Sequence, residues 1–272
     1  MFRSRLAAVL IVTAMASPVA AAAGQPEDLV PHRAVYDLTL REANERAGIA
    51  GIYGRMVYEF RGSACAGYTT NFRFVTQIDT GEEKRLSDQQ TTTYEDLNSR
   101  TFRFNTKSFT DQQLDKEVSG DAVERAGRIK VSLERPDKRE VDLDGGRFPT
   151  EHMMDVLKSA REGKFLFESR IFDGSDTADQ TLLATTVIGK PGKAAGDDPE
   201  LAHASPLAGS EFWPVTIAYF NEGKAADAPP IYRMAFKLYG NGVIRDLTMD
   251  YSDYVLNGKL TKLDILPPDA CK

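Results

Sequence analysis

The sequence predicts a mainly β protein, an antiparallel meander that curls into a barrel or open spiral and carries one amphipathic helix. Three observations lead there. Short runs of β-branched and aromatic residues follow one another at close spacing, with turn-rich separators and no helices between them. Two Asn-Gly pairs, Asn241-Gly242 and Asn257-Gly258, punctuate the last third, and Asn-Gly favours tight hairpins because both positions accept positive φ. A single stretch after Phe148-Pro149 changes from strand to helix periodicity.

The N-terminus sets the compartment. Met1-Phe2-Arg3-Ser4-Arg5 is a basic leader, Leu6 to Met15 a short apolar run and Ala16 to Ala23 a small-residue segment. That layout predicts a secretory signal peptide over residues 1–23, cleaved after Ala22 or Ala23, and a periplasmic product. Its apolar core is too short to span a bilayer, and no later apolar run is long enough. No cysteine stands directly after the cleavage site, so the mature chain, one domain over residues 24–272, is expected to be soluble rather than lipid-anchored. Without Arg3 and Arg5 that chain keeps 32 basic against 40 acidic residues, a formal charge of −8. An acidic surface without a basic cluster excludes nucleic acid and simple electrostatic adhesion to anionic lipid.

Export gives the cysteines a meaning, because disulfides persist outside the reducing cytosol. Cys65 and Cys271 are the two present, and they allow one intramolecular pairing, with two unrelated thiols as the alternative. Paired, they would enclose nearly the whole mature chain in one loop, worth roughly 5 kcal/mol in the chain-entropy account. Neither has a close histidine or second cysteine, as a zinc site would require.

Taken in order, residues 24–31 read as a flexible lead-in. His32 to Leu40 places Ala34, Tyr36, Leu38 and Leu40 on one side of a period-2 pattern, a half-buried strand. Arg41 to Arg46 suits a short helical turn, and the glycines of Gly48 to Gly54 suit bends or close backbone approach. Gly54 to Gln77 is a hairpin around Cys65. Further strands are expected at Gln89 to Asp96, Thr101 to Thr106, Ala122 to Ala126, Ile129 to Leu133 and Glu140 to Leu143. Thr150 is the expected N-cap of a helix over Glu151 to Glu162, with Gly163 as its stop and Met153, Met154, Val156, Leu157 and Ala160 as its apolar stripe. Strands at Lys164 to Phe172 and Thr181 to Gly189 precede Lys190 to Gly209, a Gly/Ala/Pro/Asp-rich stretch read as a mobile loop. Phe212 to Phe220, Tyr232 to Tyr239, Val243 to Tyr254 and Lys259 to Leu266 complete the meander, with hairpin turns at both Asn-Gly pairs.

The chain carries no motif for chemistry: no Gly-x-Ser-x-Gly elbow, no phosphate loop, no His-Glu-x-x-His, no Cys-x-x-Cys. Its three histidines lie far apart; His152 reads as a hydrogen-bonding residue and His203 as solvated. Asp173, Asp176 and Asp179 lack the spacing of a calcium loop and read as an acidic turn. Trp213 reads as a core or rim residue. No cofactor or metal is implied.

Five blocks together resemble a known family: Gly54 to Tyr68, Phe148 to His152, Leu166 to Asp176, Trp213 to Phe220 and Asn241 to Tyr251. In order and spacing they look like the EipB family of periplasmic cell-envelope integrity proteins, over essentially the whole mature chain. The resemblance implies a β-spiral with one helix packed against it, a disulfide between Cys65 and Cys271, and a role in envelope integrity without established catalysis. The spiral is similar in outline to the half-barrels of lipoprotein carriers, which implies a cavity for an apolar ligand. Tyr58, Phe72, Phe74, Phe102 and Phe104 are the candidate lining. The expected protein is a monomer or weak homo-oligomer that binds an envelope protein or an apolar ligand. A carrier of lipid or lipoprotein acyl chains is the alternative, and a hydrolase a more distant one.

Overall fold

The computed structural model describes residues 29–222 and 228–271. The expected signal peptide lies outside them. Strands β1 (His32–Ala43), β2 (Gly51–Ser63), β3 (Gly67–Asp79), β4 (Lys84–Asp96), β5 (Thr101–Thr110), β6 (Gln113–Arg125), β7 (Arg128–Arg135) and β8 (Arg139–Asp144) form an unbroken meander. Helix α1 (Pro149–Arg161) follows, then β9 (Leu166–Ile171), β10 (Leu182–Ile188), the two-residue β11 (Gly192–Lys193), β12 (Glu211–Asn221), β13 (Tyr232–Tyr239), β14 (Ile244–Asp250) and β15 (Tyr254–Ile265). All belong to one antiparallel sheet, ordered β8-β7-β6-β5-β4-β3-β2-β1-β15-β14-β13-β12-β10-β9, with β11 beside β10 on β12. The sheet does not close, and α1 carries the chain from its β8 edge to its β9 edge. No helix among the described residues is long and apolar enough to cross a membrane.

Period-2 alternation accounts for the strands. In β1, Ala34, Tyr36 and Leu38 are buried while Arg33 and Thr39 are exposed, so one face turns inward and the other meets water. The inward faces and α1 share the larger core, which runs from Ala34, Tyr36 and Leu38 through Val156, Leu157 and Ala160 to Leu247, Met249 and Leu256. A second core lies under β5 to β7, where Phe102, Phe104, Phe148 and Phe172 meet. Phe102 stacks on Phe148 at 5.1 Å, and Phe172 meets Phe104 edge-on at 5.7 Å. Gly174, at φ +69°, lets the chain after Phe172 cross the Phe104 ring, where a Cβ would sit 2.5 Å from Cγ.

The structure corrects several expectations. Leu29 is buried, Val30 N donates to Asn241 O and Leu266 N to Pro31 O; residues 29–31 are therefore docked rather than a flexible lead-in. Gly51 begins a strand, and β1 runs on to Ala43 before a 3-10 turn at Glu45–Ala47. Asn257-Gly258 is no turn. It lies inside β15, where a Cβ on Gly258 would stand 3.1 Å from Leu247 and 3.3 Å from Leu38; this glycine permits close approach, and the hairpin reverses at Tyr251 to Tyr254 instead. Asn241-Gly242 does turn, with Gly242 at φ +86°. Helix α1 starts at Pro149, with Phe148 rather than Thr150 at the N-cap position and no side-chain cap bond from it. The Lys190 to Gly209 stretch is folded: it contributes β11 and 3-10 turns at Pro199–Ala202 and Ser205–Leu207, and buries Glu200, Ala204 and Leu207.

Candidate binding face

Cross-strand register brings the sequence-selected aromatics onto one face. Tyr58 faces Phe72, Phe72 faces Thr91 and Thr91 faces Thr106; one row away, Met56 faces Phe74. Phe104 and Phe102 stand two and four residues before Thr106, hence on the same side of the pleat. Their fates differ. Phe102 and Phe104 are sealed beneath Phe148 and Phe172 in the second core. Tyr58, Phe72 and Phe74 remain half-buried against the larger core, with the Phe72 and Phe74 rings stacked at 6.1 Å. Beyond them Thr91 and Thr106 share a 3.1 Å hydroxyl contact. Burial pushes the Tyr58 phenol up to about 12 despite a hydrogen bond with Thr70, so it is a neutral amphipathic group. This face therefore offers apolar rings edged by neutral hydroxyls.

A second aromatic row escapes sequence reasoning. Tyr219, Tyr232, Tyr251 and Tyr254 follow one another at 5.8, 4.9 and 5.0 Å, half-buried against the same larger core. Burial raises each phenol above its ordinary range. The only available signal was that Tyr219 and Tyr232 flank a connection while Tyr251 and Tyr254 flank a turn, and hairpin register then assembles them.

Helix α1 is fastened at both sides of its first turns. Glu95 of β4 accepts hydrogen bonds from Thr150 N at 2.7 Å and Glu151 N at 2.9 Å, doing from a distant strand what a local cap would do. Burial outweighs these bonds and raises its carboxyl to about 7. His152 contacts Ser169 of β9 through Nδ1 at 3.1 Å, and burial lowers its pKa to about 4. His32 contacts Val30 O and His203 is exposed. The histidines thus stand apart. Asp176 pairs with Lys116, Asp179 with Arg139, and Asp173 accepts from Ser175 N, so the acidic turn is tied up locally.

A buried charge cluster was also unforeseen. Arg245 is fully buried and donates to Asp198, Glu200 and the Tyr239 hydroxyl, each at 2.8 Å. The β14–β15 ladder covers only Leu247 to Asp250. Past it, Glu200 supplies the missing acceptor, taking hydrogen bonds from Leu260 N at 2.7 Å and Asp246 N at 3.3 Å. Burial acts to raise the Asp198 carboxyl, yet Arg245, the Glu200 amide and Lys237 outweigh it and hold the pKa below the usual range. The cluster tethers the 190–209 segment; it offers no free nucleophile or proton donor. Cys65, in the β2–β3 turn, is bonded to Cys271 with a Cα–Cα distance of 5.5 Å.

Comparison with known proteins follows this architecture. The EipB-like family model matches residues 23–267. The chain belongs to the EipB-like family. Within the EipB-like proteins it is 50% identical over 247 residues to Cell envelope integrity protein EipB of Brucella abortus (strain 2308), covering 90% of this chain and 88% of that protein. It is also similar to the crystal structure of a beta-barrel-like protein of the domain of unknown function DUF1849 from Brucella abortus. The TM-score is 0.84 at 49% identity, covering 88% of this chain and 99% of that one. Both the EipB-like family and the open antiparallel architecture expected from the sequence are found.

Proposed function

We propose that this protein is exported to the periplasm and serves cell-envelope integrity as a non-catalytic binding protein, taking an apolar ligand or an apolar segment of an envelope protein against its curved sheet. The name of the 50% identical relative supports the envelope role. The observation that carries the binding role is the trio Tyr58, Phe72 and Phe74, half-buried and edged by Thr91 and Thr106 on the core-side face of an unclosed sheet. Rings in such a setting supply apolar contact, and the hydroxyls supply orientation.

The test is a Phe72→Ser/Phe74→Ser double variant in a strain lacking the native protein. Sensitivity to detergent is expected to persist although the variant is exported at parental level and melts as a folded protein. A variant that protects the envelope as well as the parent defeats this reading. Acyl-chain carriage is the second reading, favoured by the absence of charge along the row Tyr58, Phe72, Thr91 and Thr106. It predicts a stoichiometric lipid in native mass spectra of protein taken from the periplasm without detergent, and an empty protein that accepts none counts against it.

A further inference from the structure

Strand β9 is a terminal strand of the sheet and pairs along one edge with β10. Ile188 N donates to Phe165 O, so Phe165 and, at two-residue steps, Phe167, Ser169 and Ile171 turn their backbone groups toward β10. Leu166, Glu168 and Arg170 turn theirs the other way. Arg147 meets the far end of this free edge, donating from its N to Arg170 O at 2.7 Å and accepting from Phe172 N at 2.9 Å. The N–H and C=O groups of Leu166 and Glu168, with the Arg170 N–H, have no strand partner among the described residues.

Room and chemistry accompany this edge. A cleft of about 730 Å³ runs beside it, between β9 and the wall formed by Asp144, Gly145, Asp155 and Lys158. Exposed edges are normally blunted by charge, and β8 at the other end of the sheet follows that rule, with Arg139, Glu140, Asp142 and Asp144 among its six residues. β9 does not. It opens with Leu166, 53% exposed, directly after Phe165, 67% exposed, and its two charged side chains are already engaged, Glu168 accepting from Thr185 and Arg170 paired with Glu222. Arg100, Arg147, Lys164 and Arg170 in the cleft each hold a carboxylate. Lys158 is exposed, acts on the Glu162 carboxylate electrostatically, and makes no ion pair within 4.0 Å among the described residues.

We infer that β9 binds an extended segment of a partner protein by strand addition, with apolar side chains beside Leu166 alternating with acidic ones facing Lys158. Backbone pairing supplies affinity and the alternate side chains supply selectivity. This surface is separate from the aromatic face and stands without it.

The test uses the full mature protein and a ten-residue synthetic peptide of alternating valine and aspartate, followed by residue-resolved amide hydrogen exchange and titration. Slowed exchange at Leu166, Glu168 and Arg170 is expected. Glu168→Pro deletes one outward N–H without touching the β10 ladder, a position where an edge strand accepts proline, and is expected to weaken binding tenfold or more. If that variant fails to fold, Lys158→Glu on the exposed helix face is the second probe, expected to weaken the aspartate peptide and to favour a valine-lysine one. Equal binding by parent and variants overturns the inference, as does protection on β3 and β4 in place of β9. Protection of the β9 amides that grows with protein concentration in the absence of peptide also overturns it, by assigning the edge to a second copy of this chain.

Discussion

Arg245 brings a full charge to a position with no exposed surface, and Glu200 meets it while completing the backbone ladder that β14 and β15 abandon. Two debts fall on one carboxylate: the guanidinium needs a counter-charge, and the Leu260 N–H needs an acceptor. Removing one member of a buried pair typically costs about 3–5 kcal/mol, because the other charge stays buried and unmatched. Glu200→Ala is therefore expected to lose stability of that order in chemical denaturation, with the amide of Leu260 exchanging faster. Replacing both partners with apolar residues, Arg245→Met with Glu200→Leu, is expected to recover part of the loss, since the buried guanidinium is gone and Asp198 keeps Lys237 at 3.5 Å. A double variant as unstable as the single one would mean that the ladder contacts, not the charge pair, carry the energy.

Helix α1 is held by two titratable groups whose responses to pH oppose each other. Glu95 has its folded pKa raised to about 7 by burial, so its contribution to stability is fully present below the unfolded value near 4.5 and is lost as pH rises through 7. His152 has its folded pKa lowered to about 4 by burial; its contribution is present above the unfolded value near 6.5 and is lost as pH falls toward 4. Each swing amounts to about 3 kcal/mol, and in the parent the two nearly cancel between pH 4.5 and 6.5. Single variants separate them. Measured against the parent by denaturation from pH 4.5 to 8, Glu95→Gln is expected to gain relative stability as pH rises, and His152→Asn as pH falls. A difference from the parent that stays constant with pH would show that the group titrates alike in the folded and unfolded chain.

Across the whole molecule, what the sequence discloses depends on how local the cause is. Strand β13 (Tyr232–Tyr239) has the predicted bounds because its alternation is a property of adjacent residues. Glu200 and Arg245 are 45 residues apart, so loop composition concealed the contact that folds the 190–209 segment; Gly258 looked like a turn because the neighbours requiring a glycine, Leu38 and Leu247, come from two other strands. Of the five aromatics chosen from sequence, register explains their common face, but only the packing of Phe148 and Phe172 separates buried Phe102 and Phe104 from half-open Tyr58, Phe72 and Phe74. The longest-range feature is the pairing of β1 with β15, the first strand with the last. Cys65–Cys271 joins the β2–β3 turn to the tail after β15 across a separation of 206 residues, while the exposed residues 267–271 add little contact of their own beyond a 3.4 Å bond from Asp269 N to Gly62 O. The bond therefore acts chiefly on the unfolded chain, where a loop of this length is worth roughly 5 kcal/mol, or about 10–20 °C as an upper bound for a protein of this size. Cys65→Ser, Cys271→Ser and the reduced parent are each expected to melt several degrees lower or more. The oxidised chain is also expected to refold faster, because closing β1 onto β15 no longer requires the full search. Equal melting temperatures and refolding rates with and without the bond would leave the β1–β15 ladder itself as the closure of the fold.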